Sequence, residues 1–387
     1  MGGFDREWIA DSAEAIANRA ERELEALVGV SSPSGDVAGA EEAIAITAAL
    51  LPDGTTIERI ECSSPDYAPD LIARLAGSGA GRLVLVGHVD TVIAHGVHRP
   101  VERDGERLVG SGTIDMKGGI VLALGVMREL ASRPHAFAEL VLLAVTDEEW
   151  RTGPLAHGPL FAGFDACLCF EGGERTAAGE EAVVLRRKAA ATVRVRASGL
   201  AAHSGTSPER GRNALLALGE AARAVAARND PGGPQRVTAV PTVIRSGDAF
   251  NVVPAGGELI CDLRGDELGA LDRIRDAVPA EHGGVTLEAD LVRRWPGMDT
   301  RAQAAPLLAA AAELIDRPLL GSERGGASDA SHLAASVPLT IDGLGPIGGS
   351  AHNPDEYVLA DSFEPRAEVA LALCVAALAL RQPPLGH

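Results

Sequence analysis

The sequence predicts an α/β protein in which a mixed-sheet α/β/α domain carries an inserted, ferredoxin-like α+β domain. Aliphatic runs separated by helical patterns fill the first half of the chain and return after residue 295, as expected of strands covered on both faces. Between residues 188 and 295 the strand patterns instead alternate apolar and polar residues, which is typical of half-exposed antiparallel strands. The chain has 387 residues, enough for two such domains.

Helices and strands alternate through the first half of the chain. Residues 4–30 have the amphipathic spacing of a helix, and the run LVLVGHVD at 83–90 has the aliphatic character of a buried strand. A helical pattern follows at 117–131, and aliphatic strands follow at 138–149 and 164–173. We expect the polar residues that end these strands to lie at one edge of the sheet, where open α/β sheets build their sites.

The inserted segment predicts the order β-α-β-β-α-β, which forms a compact ferredoxin-like unit. Its elements are expected at 191–198, 213–228, 236–247, 250–265, 266–278 and 285–294. The α/β pattern then resumes with a helix at 305–315, a strand at 337–344 and a helix at 362–382. We therefore expect a discontinuous larger domain, residues 1–187 and 296–387, and an inserted domain, residues 188–295.

The composition argues against several classes of function. A formal net charge of −19 disfavours binding to nucleic acid or to anionic membranes. The five cysteines are odd in number and contain no CxxC pair, which disfavours a disulfide framework or a thiolate zinc cluster. We expect buried free thiols and a reducing, cytoplasmic location. The apolar run VALALCVAALAL is too short to span a bilayer.

Histidines and acids follow the predicted strands and turns at five places. His88 is followed two residues later by Asp90, so both share one strand face, and a carboxylate there could orient a metal-binding imidazole. Asp115 lies in a glycine-rich turn before a helix, where it could alternatively cap that helix. The other three places are the acidic run Asp147–Glu149, Glu171 and His352.

This mixture of imidazoles and carboxylates suits zinc, whose catalytic sites use both ligand types. Clustered carboxylates repel one another and tend to take up protons, whereas two divalent cations would offset their charge. Paired metal ions about 3.5–4 Å apart are a known hydrolytic arrangement. One carboxylate would then bridge the two ions, and an acid outside the ligand set could act as a general base.

Seven segments, taken in order, resemble the aminoacylase/carboxypeptidase family of co-catalytic zinc metallopeptidases, with the glutamate carboxypeptidase branch nearest. They are HVDTV, GTIDMKGG, TDEEW, FEGG, GLAAHSGTSPERGRNA, GGASDA and AHNPDEYV, and the similarity runs from about residue 80 to residue 358. The resemblance implies that the larger domain is catalytic and the inserted one is a lid. It implies two zinc ions per chain, with cobalt or manganese as compatible substitutes.

The resemblance also implies the ligand set. Asp115 would bridge both metal ions. His88 and Glu171 would complete one site, and Glu149 and His352 would complete the other.

Two further residues of the catalytic domain receive roles from the resemblance. Glu148 would be the general base that takes a proton from the attacking water, and Asp90 would orient His88. The family also implies a cis peptide bond between Asp115 and Met116.

In the lid, His203 would stabilise the oxyanion, reaching across a homodimer formed through the lid domains. Asn251 and Arg264 resemble positions that bind the carboxylate of the substrate, for which the guanidinium fork has the right geometry. Gly326, in the loop GGASDA, would line the same pocket.

The sequence therefore predicts a zinc-dependent amidohydrolase that acts on a small peptide or an N-acyl amino acid and releases a C-terminal residue. An N-acyl-amino-acid deacylase or desuccinylase on the same scaffold is an alternative, because it would differ only in pocket shape. A non-catalytic binding protein with the same fold is the alternative of another class.

Overall fold

The computed structural model describes residues 4–380 and has the mixed α/β class that the sequence predicts. The helices are α1 (Arg6–Val28), α2 (Val37–Ala49), α3 (Gly118–Ala131), α4 (Ala214–Ala226), α5 (Leu268–Arg275), α6 (Arg301–Ile315), α7 (Asp329–Leu333) and α8 (Phe363–Leu380). The strands are β1 (Thr56–Ile60), β2 (Asp70–Ala76), β3 (Arg82–His88), β4 (Glu102–Asp104), β5 (Arg107–Val109), β6 (Glu139–Val145), β7 (Ala166–Cys169), β8 (Glu174–Arg175), β9 (Glu181–Arg187), β10 (Ala189–Ser198), β11 (Ala202–His203), β12 (Thr238–Ser246), β13 (Val252–Val253), β14 (Gly256–Gly265), β15 (Glu281–His282), β16 (Val285–Trp295), β17 (Met298–Asp299), β18 (Leu319–Arg324), β19 (Thr340–Ile341), β20 (Gly348–Gly349) and β21 (Tyr357–Leu359).

The central sheet has the strand order β1-β2-β6-β3-β7-β19. Strands β6, β3, β7 and β19 run parallel, whereas β2 pairs antiparallel with β6 and β1 pairs antiparallel with β2, so the sheet is mixed. On β3, Leu83 and Leu85 join the core that contains α1, α3, α6 and α8, while Val84 and Val86 join a second core on the opposite face. Burial on both faces is the reason that β3 reads as an uninterrupted aliphatic run.

The final helix, α8, is apolar around nearly its whole circumference because it lies between α1 and α6. Four consecutive residues, Val369–Ala372, which point in four different directions around the helix, are all buried. No helix in the described part of the chain combines the length and hydropathy needed to cross a membrane.

The inserted part of the chain forms a separate antiparallel sheet, here called the lid sheet, with the order β12-β14-β10-β16-β15. Strands β10, β12, β14 and β16, which are the four strands of the β-α-β-β-α-β unit, have the ferredoxin-like order, and β15 extends the edge. Helices α4 and α5 pack on one face of this sheet and form their own apolar core with it.

The single strand predicted at 250–265 is wrong in one respect. The structure divides it into β13 and β14, with Pro254 between them. Proline lacks the N–H that a central strand needs, so the ladder stops there. Strand β13 pairs instead with β11, and this contact positions the segment that carries His203.

The chain leaves and re-enters the larger domain at one place. Arg187, the last residue of β9, pairs with Met298 of β17, and Ala190 of β10 pairs with Trp295 of β16. The two connections therefore run side by side. The domain limits at residues 188 and 295 stay predictions.

Candidate active site

The parallel strands of the central sheet bring three of the predicted ligands to one edge. His88 is the last residue of β3, Glu149 follows the end of β6, and Glu171 follows the end of β7. Strand β3 lies between β6 and β7 and is parallel to both, so the three side chains leave the sheet in the same direction. Asp115 and His352 reach this edge from loops.

His88 is buried and its ring is held on both sides. Its Nδ1 lies 3.0 Å from the backbone oxygen of Asp90 and 3.3 Å from the carboxylate Oδ1 of the same residue. Its Nε2 lies 3.1 Å from Oδ1 of Asp115. Asp90 therefore orients the imidazole so that Nε2 faces the other predicted ligands, as outer carboxylates do for metal-binding histidines.

Asp115 lies between the two histidines. While Oδ1 faces His88, Oδ2 lies 3.0 Å from Nε2 of His352, so each oxygen of one carboxylate addresses a different imidazole. A carboxylate that bridges two metal ions needs this arrangement. The peptide bond between Asp115 and Met116 is cis, as the resemblance implied.

The turn that presents Asp115 is held by Glu356, a buried residue to which the sequence analysis gave no role. Its Oε1 accepts backbone N–H groups of Ile114 and Asp115 at 2.7 and 2.8 Å, and its Oε2 accepts that of Gly112 at 3.1 Å. Glu356 lies four residues after His352, so one loop supplies both a predicted ligand and the support for another.

The remaining two carboxylates divide between the two histidines. Oε1 of Glu171 lies 3.8 Å from Nε2 of His88, and Oε2 of Glu149 lies 3.4 Å from Nε2 of His352. The other oxygen of Glu149 is buried and has no hydrogen-bond partner within residues 4–380.

The pKa values in this cluster are shifted because Asp115, Glu149 and Glu171 lie close together in a buried place. Burial, reinforced by the charge of Asp115, raises the pKa of Glu171 to about 8, and burial also raises the pKa of Glu149. Hydrogen bonds to Asp115 and Glu149 raise the pKa of His352 to about 10. Without a metal ion, the cluster therefore favours protonated imidazoles and neutral carboxyl groups.

These residues fit one or more divalent cations. Ligand atoms of His88, Asp115 and Glu149 all lie within 4.8 Å of one another. Imidazole nitrogen and carboxylate oxygen are the donors that catalytic zinc uses, and the unpartnered oxygen of Glu149 is available as a further donor. A cation bound there would offset both the burial and the mutual repulsion that raise the pKa values of Glu149 and Glu171.

Glu148 lies beside the cluster and outside the ligand set. Its side chain is buried, and burial raises its pKa well above the ordinary value, opposed by His88 and reinforced by Glu171. The backbone N–H groups of Glu148 and Glu149 donate to the two carboxylate oxygens of Asp90 at 3.2 and 3.1 Å. Asp90 thus fixes both the imidazole of His88 and the turn that carries Glu148.

The predicted lid residues do not join this cluster within one chain. His203 is exposed, and its Nδ1 accepts backbone N–H groups of Gly205 and Thr206, both at 3.1 Å. Asn251 is exposed beside it, and its backbone oxygen accepts from Ser204. The carbonyl oxygen of Gly326 accepts from the Arg187 guanidinium at 2.9 Å.

Arg264, which was predicted to bind a substrate carboxylate, already holds one in the structure. Its Nε and Nη2 donate to the two oxygens of Asp262, each at 3.0 Å. The arginine predicted to bind the substrate therefore forms a two-pronged ion pair with Asp262 in the structure.

A buried ion-pair network that the sequence analysis missed supports the turn behind Glu148. Nη1 of Arg151 donates to Asp147 at 2.8 Å, and Nη2 donates to Asp329 of the GGASDA loop. The guanidinium also lies 4.7 Å from the ring centroid of Trp295, whose indole N–H donates to the Arg151 backbone oxygen at 3.1 Å. The spacing of Asp147 and Arg151, four residues apart, was the available signal.

Another polar group lies on the far side of Asp147. Atoms of Cys62, Asp70 and Asp147 come within 4.8 Å of one another, and Asp70 accepts from His157 at 2.8 Å. The five cysteines are free, in agreement with the sequence.

Comparison with known proteins gives consistent results. The model of peptidase family M20/M25/M40 matches residues 84–376. Carboxypeptidase G2 from Pseudomonas sp. (strain RS-16) is 28% identical over 355 residues, which cover 87% of this chain and 83% of the relative. Succinyl-diaminopimelate desuccinylase from Methylorubrum populi is 30% identical over 345 residues, which cover 80% of this chain and 86% of the relative.

The fold also matches solved structures. The M20 family metallo-carboxypeptidase Sso-CP2 from Sulfolobus solfataricus superposes with a TM-score of 0.72 at 14% identity, covering 93% of this chain and 99% of that one. Aminopeptidase PepT from Bacillus cereus superposes with a TM-score of 0.74 at 19% identity, covering 94% and 99%. These likenesses extend over both the catalytic domain and the lid.

Proposed function

Because the chain belongs to peptidase family M20/M25/M40 and is a metallo-amidohydrolase, we propose that it cleaves an amide bond next to a free carboxylate and releases a C-terminal amino acid. Small peptides or N-acyl amino acids are the proposed substrates. The observation that carries the proposal is a buried acid, Glu148, beside two imidazoles and three carboxylates that converge at one sheet edge.

Two zinc ions are the proposed cofactors. Asp115 would bridge them, His88 and Glu171 would hold one, and Glu149 and His352 would hold the other. A divalent ion bound there polarises the substrate carbonyl and lowers the pKa of a bound water.

Glu148 moves the protons in this proposal. Its raised pKa makes it a good acceptor for a proton of the attacking water, and it can return that proton to the leaving amine. Asp90 holds the backbone of Glu148, so the carboxylate stays aimed at the reacting atoms while its charge changes.

A deacylase of the desuccinylase type is the second candidate. Several curated relatives, at 27–30% identity, carry the name succinyl-diaminopimelate desuccinylase. Both candidates hydrolyse an amide beside a carboxylate, and the same residues would perform the chemistry.

We further infer a homodimer formed through the lid, in which His203 of one chain completes the site of the other. Large apolar side chains are exposed on the edge strand β12 and on α4, and Phe250 is 100% exposed. The exposed apolar residues of α4 and β12 are Leu215, Leu216, Val240, Val243 and Ile244. The free thiols favour a cytoplasmic location.

The test is Glu148→Gln, assayed against a panel of N-acyl amino acids and dipeptides with zinc present. We expect normal zinc content and a loss of kcat of about 10²-fold or more, because general base catalysis contributes that much. The matched control is Glu102→Gln, since the side chain of Glu102 is 78% exposed. Full activity in Glu148→Gln would exclude this residue as the base, and a wild-type protein that binds zinc but hydrolyses nothing would favour the binding-protein alternative.

A further inference from the structure

A β-bulge in the last strand of the lid sheet turns Arg293 towards the catalytic domain. Leu291 of β16 pairs with Val193 of β10, but Arg293 pairs with Thr192, so Val292 is an extra residue. Val193 belongs to the core that β10 forms with α4 and α5, and Thr192 points to the opposite face. The bulge therefore moves Arg293 onto the face without helices, a common use of bulges near sites.

Arg294, the next residue, confirms this change of face. Its Nη2 donates to Asp272 of α5 at 2.9 Å, so it points to the helical side. Its backbone N–H donates to the oxygen of Thr152 at 3.4 Å, which attaches this end of β16 to the turn that follows Glu148.

Trp295 packs against the guanidinium of Arg293 and also contacts the turn that follows Glu148. The guanidinium carbon lies 4.6 Å from the Trp295 ring centroid, and the ring is fully buried against Arg151. Burial lowers the pKa of Arg293, and the Glu148 carboxylate is the first of the groups that oppose this effect. A cation thus lies on the helix-free face of the lid sheet, within electrostatic range of Glu148.

The guanidinium of Arg293 donates to no side chain in the described part of the chain, whereas that of Arg264 commits two of its five N–H donors to Asp262. Its Nε is buried without a hydrogen-bond partner, and no side chain of residues 4–380 forms an ion pair or hydrogen bond with the group. A buried donor without a partner costs about 1–3 kcal/mol, so a complementary acceptor would be bound favourably. Arg264, in contrast, already donates two hydrogen bonds to the Asp262 carboxylate.

We propose that Arg293 is the specificity-determining residue that binds a carboxylate of the substrate. This inference rests on the proposed function and deepens it, because it identifies a residue besides Arg264 that binds a carboxylate of the substrate. The partner could be the α-carboxylate or the side-chain carboxylate of a dicarboxylic residue, and both offer the same two oxygens to the guanidinium fork. In a chain with a net charge of −19, such a local cation attracts an anionic substrate.

The experiment compares four substrates with zinc-loaded, full-length protein. They are N-acetyl-L-glutamate, its α-amide, N-acetyl-L-glutamine and the α-amide of N-acetyl-L-glutamine. The variants are Arg293→Gln, Arg293→Lys and Arg264→Gln. Arg294→Gln is the matched control, because it removes the same charge from the same strand on the other face. Urea denaturation of each variant checks that it folds.

For substrates that keep the bound carboxylate, Arg293→Gln should lower kcat/KM about 30-fold or more, which is the usual loss for an unpaired buried charge. For the amide in which that carboxylate is neutralised, the loss should be below about threefold, and the amide that shows this identifies which carboxylate Arg293 binds. Arg293→Lys should be intermediate, since an ammonium cannot form the fork. Equal losses on all four substrates, or losses in Arg264→Gln alone, would overturn the proposal.

Failure of the proposed function is recognised separately. If wild-type protein hydrolyses none of the four substrates, calorimetric titration with glutarate tests Arg293 by itself. Arg293→Gln should then bind glutarate at least tenfold more weakly than wild type and Arg294→Gln. Equal affinities in all three proteins, or no binding to wild type, would refute the assignment.

Discussion

Replacing Arg151 by methionine should destabilise the protein strongly and in a pH-dependent way. Arg151 is buried and is the shared partner of two buried carboxylates, Asp147 and Asp329. Removing one member of a buried ion pair costs about 3–5 kcal/mol, because the other charge is left without compensation. The substitution leaves two buried carboxylates without their cationic partner, so we expect the free energy of unfolding to fall by about 4–5 kcal/mol at pH 8.

The pH dependence distinguishes lost charge pairing from lost packing. Burial raises the pKa of Asp329 to about 6 even with Arg151 present, so the folded protein holds that proton more tightly than the unfolded chain does. The stabilising contribution of this proton is complete below about pH 4 and is lost as the pH rises through 6. Without Arg151 the folded-state pKa rises further, so the deficit of the variant should be largest above pH 6 and smallest near pH 4.

Urea denaturation followed by circular dichroism, on metal-free protein at pH 4.5 and pH 8, measures this difference. Arg294→Gln is the control and should change the free energy of unfolding by less than about 1 kcal/mol, because its pair with Asp272 is half exposed. A deficit in Arg151→Met that is equal at both pH values would show that packing against Trp295, and not charge, is the main contribution of Arg151.

Two further predictions concern the support of the site and its metal. Gly119→Ala should lower the free energy of unfolding by about 2–3 kcal/mol and reduce zinc content, because a Cβ there would lie 1.9 Å from the Phe170 oxygen, directly before Glu171. Its control, Gly219→Ala in α4, meets nothing within 4 Å and should raise stability by about 0.4–1 kcal/mol in the same urea assay, so equal effects would contradict the close-contact argument. Removing zinc with a chelator should make the protein less stable as the pH rises from 6 to 9, because the raised pKa values of Glu171, about 8, and His352, about 10, favour protonated folded protein at low pH. Zinc-loaded protein should lack this fall in thermal unfolding scans, and parallel curves for the two forms would argue that the cluster binds no metal.

Much of the fold could be predicted because its strands differ so clearly in burial. The aliphatic run of β3 and the alternating pattern of β10 separate a covered sheet from a half-exposed one, and both sheets are present. Short strands escaped prediction, among them β4, β5 and β20, since two or three residues carry no periodicity. The order of strands in the central sheet also could not be derived, because pairing partners are chosen in three dimensions.

The candidate site could be predicted to a similar extent and for a related reason. His88, Glu149 and Glu171 end strands, and strand ends can be located from hydropathy alone. Their roles as ligands stay predictions, although the structure brings the side chains together. Supporting residues such as Glu356 and Asp329 could not be identified, because a buried acid in a loop has the same local sequence as an exposed one.

The sequence by itself determined which chemical groups end the strands, that they are too acidic to cluster without cations, and that a second domain interrupts the first. These properties are local, since each depends on residue type and on spacing along one segment. Only the tertiary structure decided which groups face one another. The bulge at Val292 shows why: the face on which Arg293 lies depends on its pairing with Thr192, and a pairing between strands a hundred residues apart leaves no trace in the periodicity of either one.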